Sequence, residues 1–111
     1  MDYSKLSDFE ISILVAKVGG HIPLDESQGW AGTQKEPFTA VIVKGAHIIG
    51  GFDPCNNPAD AWPIIFNNGI GLRKQSNGIW SCSQPGGNYP QYSENPLRAA
   101  MIVYLMMQES E

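Results

Sequence analysis

The sequence predicts an α+β fold: an antiparallel sheet of two hairpins packed between helices, in the order α-ββ-α-ββ-α, like an alpha-beta-alpha sandwich. Three observations carry that expectation. Helix-start signals recur at Ser7, Asn57 and Asn95, each opening an apolar segment. Between them lie two pairs of short apolar, β-branched or aromatic runs joined by glycine-bearing turns. The length of 111 residues with 42% apolar content suits a single domain over 1–111, large enough to fold without a metal or disulfide.

The first helix opens at Ser7-Asp8-Phe9-Glu10, a capping box in which Ser7 and Glu10 satisfy each other's backbone amides. Leu6 and Ile11 occupy the two positions of a hydrophobic staple, and Asp8 favours the positive end of the helix dipole. The helix should run to about Val18 and stop at Gly19-Gly20. The β-branched run from Ile11 to Val15 competes for a strand, but the cap and the glycines decide for helix. Residues 21–36 show no periodicity and exceed the usual loop length. They form either a functional loop or one that hides a short strand near Trp30. Phe38 to Val43 and Ala46 to Ile49 then read as a hairpin about Lys44-Gly45, ended by Gly50-Gly51.

Asn57-Pro58-Ala59-Asp60 is the second helix start, with an Asn cap, Pro at the first helical position and an acid in the first turn. Pro63 leaves two alternatives. A helix from Pro58 loses the bond to the Ala59 carbonyl and kinks; a helix capped by Asp60 keeps Pro63 in its first turn at no cost. Either version ends near Asn68-Gly69. Ile70 to Gln75 and Ile79 to Ser83 form the second hairpin. A three-residue loop with Gly78 left-handed puts Ile70, Leu72, Trp80 and Cys82 on one face; a two-residue Asn77-Gly78 loop does not. Residues 84–94 form a loop carrying Tyr89 and Tyr92. Asn95-Pro96 opens the last helix, 96–109, in which Leu97 to Met107 carry Arg98 as their only charge. Such a helix is buried on most faces, so it should pack centrally on the sheet.

Three stretches resemble a known family. The opening Met1-Asp2-Tyr3-Ser4-Lys5-Leu6-Ser7-Asp8-Phe9-Glu10-Ile11, the run from Cys55 through Asn56-Asn57-Pro58-Ala59-Asp60-Ala61-Trp62-Pro63 to Ile65, and the closing Asn95-Pro96-Leu97-Arg98-Ala99-Ala100 through Gln108 are similar to the NinX family. These are small proteins of tailed phages and prophages of enteric bacteria. The resemblance implies a phage accessory protein at a host-takeover or replication stage and supplies no catalytic residues. More distantly, the Trp-bearing helix and strand and the final Pro-Leu-x-Ala-Ala helix resemble phage ABA sandwich domains. That implies an antiparallel sheet between helical layers and licenses no function.

Composition narrows the function further. Eleven acids against seven bases give a net charge of -4, which argues against a nucleic-acid binder held by phosphates. No apolar run is long enough for a membrane span and no secretory signal opens the chain, so the expected setting is the host cytoplasm. Cys55 and Cys82 are then expected as free thiols. With His21 and His47 they have the composition of a zinc centre, but their spacing matches no zinc motif, and no cofactor is expected. Cys55, just before a helix, could pair with His47 as a nucleophile, and Arg98 could clamp an anion at the final helix start. An ion pair of Arg98 with Asp60, Glu94 or Asp53 is its plainer role. Trp62 and Trp80 read as core. Trp30, Tyr89 and Tyr92 fall on loops and mark the expected binding surface. The leading reading is a non-enzymatic module that binds a host or phage protein. The alternative is a small enzyme or anion binder using Cys55, His47 and Arg98. A third is a homo-oligomeric structural domain.

Overall fold

The computed structural model describes residues 2–20, 22–23, 31–32, 41–44, 49–87 and 90–109. They divide into two compact units, Met1–Asp53 and Pro54–Glu111.

In the first unit a single 3-10 turn, Tyr3–Lys5, precedes helix α1, Asp8–Val18. The Ser7 hydroxyl accepts the Glu10 amide at 3.1 Å and the Glu10 carboxylate accepts the Ser7 amide at 3.0 Å. That is the capping box, closed from both sides. Ile11, Ser12, Val15 and Ala16 are buried, a stripe at helical spacing. The helix ends as Gly20 takes the left-handed conformation, φ 84°, and donates to the Lys17 carbonyl.

The unit's antiparallel sheet comprises β1 (Ile22–Pro23), β2 (Ala31–Gly32), β3 (Val41–Lys44) and β4 (Ile49–Phe52). β3 is central: β4 pairs one of its edges, while β1 and β2 pair successive halves of the other. The strand near Trp30 is therefore real. The hairpin differs from the sequence expectation. Its second strand, Ile49–Phe52, runs through Gly50-Gly51 rather than stopping there, with Val43 opposite Gly50 and Ile42 opposite Gly51; residues 38–40 and 46–48 of the expected strands lie outside the described residues. Glycine weakens a strand without forbidding it.

The second unit holds α2 (Pro58–Asn68), β5 (Gly71–Lys74), β6 (Trp80–Ser83), β7 (Gln91–Ser93) and α3 (Pro96–Glu109). The β5–β6 hairpin has the three-residue loop. Gln75 donates to the Ile79 carbonyl, Gly78 has φ 85°, and Leu72 lies opposite Cys82. β7 adds to the far edge of β6, with Ser81 opposite Tyr92 and Cys82 opposite Gln91. α3 packs on this sheet and on α2, burying every residue from Ala99 to Leu105. Gln91 reaches it through a contact of Nε2 with the Met106 sulfur at 3.3 Å.

The fold is α+β in the predicted helix and hairpin order. Its strand pairing is richer: the two hairpins lie in separate sheets, each extended by short strands. The second hairpin finds its additional partner in β7, a three-residue strand inside the expected 84–94 loop.

Candidate functional site

Helix α2 begins as its residues dictate. Asn57 Oδ1 accepts the Ala59 amide at 3.0 Å and Pro58 fills the first helical position, where no amide bond is lost. Pro63 therefore sits inside the helix, the first of the two alternatives. The helix closes in a Schellman motif: Gly69, at φ 65°, donates to the Phe66 carbonyl and Ile70 donates to Ile65 at 3.1 Å. Ile65 and Ile70, the two apolar positions of that motif, are both buried. The cap delivers the chain directly into β5.

α2 carries more apolar surface than its packing consumes. Ala61 and Ile65, one turn apart, are buried, while Trp62 and Phe66, displaced by one position, are 59% and 70% exposed. The two rings lean together with centroids 6.1 Å apart and planes at 42°. Beside them lies an open depression of about 430 Å³ lined by Trp62, Ile65, Phe66, Gly69, Ile70 and Leu72. Among the described residues no charged side chain lines it. This corrects the reading of Trp62 as core: a stripe one or two residues wide is all that α2 buries, and Trp62 falls outside it. Trp80, by contrast, is half-buried on β6. Phe66 drew no attention in the sequence, although its i,i+4 spacing to Trp62 was the available signal.

A second apolar depression, of about 290 Å³, is lined by Leu6, just ahead of α1, and by Glu10, Ile13 and Leu14 on α1. Glu10 is already committed there to the capping box.

The residues singled out from sequence fare differently. Trp30, Tyr89, His21 and His47 lie outside the described residues. Tyr92 is 61% exposed on β7, in one cross-strand row with Ser81 and Arg73. Cys55 is fully buried before α2, and Cys82 is fully buried on β6 with its thiol 3.5 Å from the Pro96 carbonyl. Neither cysteine forms a disulfide among the described residues. Burial pushes the Cys82 thiol up to about 11, which disfavours the thiolate a nucleophile or metal ligand needs. Among the described residues no three His, Cys, Asp or Glu side chains cluster as metal ligands.

Asn95 draws the Cys55 loop and Arg98 to one helix start. Its Oδ1 accepts the amides of Leu97 at 3.0 Å and Arg98 at 3.3 Å, capping α3. Its Nδ2 donates to the Cys55 carbonyl at 2.7 Å and approaches Asn56 Oδ1 at 3.4 Å. One amide thus caps one helix and ties down the loop that opens another. The half-buried Arg98 sits at the third position of α3.

Among the described residues, no helix is long and apolar enough to cross a membrane. No curated protein matches the chain closely. A family model described as Bacteriophage P22, NinX matches residues 2–108, nearly the full length and, Met1 aside, all three stretches that resemble that family. The chain belongs to the NinX family of phage proteins.

Proposed function

We propose that this phage-family protein is a non-enzymatic module that binds another protein in the host cytoplasm, and that the α2–β5 face is its contact surface. The observation that carries this reading is the Trp62–Phe66 pair, left 59% and 70% exposed beside a depression that Ile65, Ile70 and Leu72 also line. Aromatic rings at a protein surface are favoured contact anchors, since they bury large areas at little conformational cost. Covering both rings removes on the order of 300 Å² from water, a gross gain of roughly 7 kcal/mol before the costs of association. The expected partner presents an apolar surface of its own, host or phage in origin.

The burial of both thiols turns the reading away from cysteine chemistry. The test is comparative capture from infected-cell lysate with wild type and the Trp62→Ala/Phe66→Ala double variant. A partner held by wild type and lost by an equally folded variant supports the proposal. Equal capture by both, or activity in a substrate screen that disappears with Cys55→Ser, overturns it.

A further inference from the structure

The depression beside Trp62 and Phe66 has a second border. Leu72, one of its lining residues, belongs to β5, and β5 is an outer strand of its sheet among the described residues. The register fixes where its backbone points. Gln75 donates to the Ile79 carbonyl, so Gln75, Arg73 and Gly71 occupy the hydrogen-bonded positions opposite β6. The intervening Leu72 and Lys74 direct their N–H and C=O groups away from β6, toward the free edge. An extended chain laid there meets two donor–acceptor pairs two residues apart, the spacing of strand addition.

The edge is also charged. Arg73 and Lys74 are the only adjacent bases in the sequence, in a chain of net charge -4. Both are exposed, and neither has an ion-pair partner among the described residues. Like charges on a sheet edge repel a second copy of the same edge, which removes self-pairing as the natural occupant. They attract an acidic strand. Arg73 lies on the face with Tyr92, and Lys74 on the face with Leu72, so the two bases flank the edge from both sides.

Building on the protein-binding reading, we infer that β5 receives an extended acidic segment of the partner protein. That segment adds as a further strand through Leu72 and Lys74. Its alternate apolar side chains enter the Trp62–Phe66 depression on the Leu72 face, its carboxylates meet Arg73 on the other face, and Lys74 adds positive potential along the edge. Backbone pairing supplies a sequence-tolerant hold, while the charges and the depression select the segment.

The test uses the full chain and a short blocked peptide that alternates glutamate with valine or phenylalanine, against the same peptide with lysine in place of glutamate. Hydrogen exchange and amide chemical shifts report the site. The acidic peptide should slow exchange at the Leu72 and Lys74 amides, bind more weakly as salt rises, and outbind the basic peptide roughly tenfold. Arg73→Glu/Lys74→Glu should reverse that preference. Lys74→Pro removes an outward amide without breaking the β5–β6 ladder and should abolish protection, whereas Lys74→Gln should only weaken binding. Equal binding of both peptides, or protection that survives Lys74→Pro, overturns the inference. Shifts confined to Trp62 and Phe66 without protection of β5 also overturn it, while leaving the protein-binding reading intact.

Discussion

Asn95 is the most informative single residue for the second unit, because its two side-chain atoms do separable work. Asn95→Ala removes the acceptor for the Leu97 and Arg98 amides, a lost helix cap costing about 1 kcal/mol. It also removes the 2.7 Å donation to the carbonyl of fully buried Cys55, costing about 1 kcal/mol more. The 3.4 Å approach to exposed Asn56 adds little. The expected loss is about 2 kcal/mol, which lowers Tm by roughly 8 °C in a chain of this size. Asn95→Ser separates the two parts. Serine caps a helix nearly as well as asparagine, but its short side chain cannot span to Cys55, so this variant should lose only about 1 kcal/mol. Urea unfolding followed by far-UV circular dichroism measures both. Equal losses for the two variants would show that the Cys55 tie contributes nothing; a loss below about 0.5 kcal/mol for Asn95→Ala would refute the whole assignment.

Other perturbations have equally definite outcomes. Ser7→Ala opens the capping box of α1 and should cost about 1 kcal/mol in the same assay, whereas Asp in place of Ser7 should cost little. Gly69→Ala forces a Cβ into a left-handed backbone at φ 65° and to within 3.1 Å of Pro85 Cγ; a loss of about 1–2 kcal/mol is expected. Cys82 gives a pH signature. Its folded-state value of about 11 lies above the unfolded 9.0, so the folded protein holds its proton while the unfolded chain releases it. Stability is thus fully present below pH 9.0 and falls as the pH rises toward about 11; Cys82→Ala should flatten that fall.

The local signals in the chain proved strongly legible. Ser7 with Glu10, Asn57 with Pro58, and Gly69 with Ile70 act through bonds spanning five residues or fewer, so their outcome is written in the local sequence. The three-residue loop at Ser76-Asn77-Gly78 followed from demanding one apolar face for Leu72 and Cys82. Strand β7 was hidden because Gln91-Tyr92-Ser93 has no apolar alternation; it is made by pairing with β6 and by the Gln91–Met106 contact. β4 was displaced because Gly50-Gly51 resembles a terminator, and only the partner strand sets the register. The candidate site was the least legible. Trp62 has the composition of a core residue, and a difference of one position from Ala61 decides whether it is covered. The free edge of β5 was invisible for a related reason, since which strand ends a sheet depends on the pairing order rather than on its own residues.

The central claim is that the Trp62–Phe66 face beside β5 contacts another protein, and site-specific photo-cross-linking tests it most directly. A photoreactive phenylalanine analogue at position 66, and separately at exposed Asn77 on the hairpin loop, would be irradiated in phage-infected cells. The account predicts one discrete adduct from position 66, none from position 77, and loss of that adduct when Trp62→Ala is added. Adducts of equal yield from both positions, or none from position 66, would contradict it.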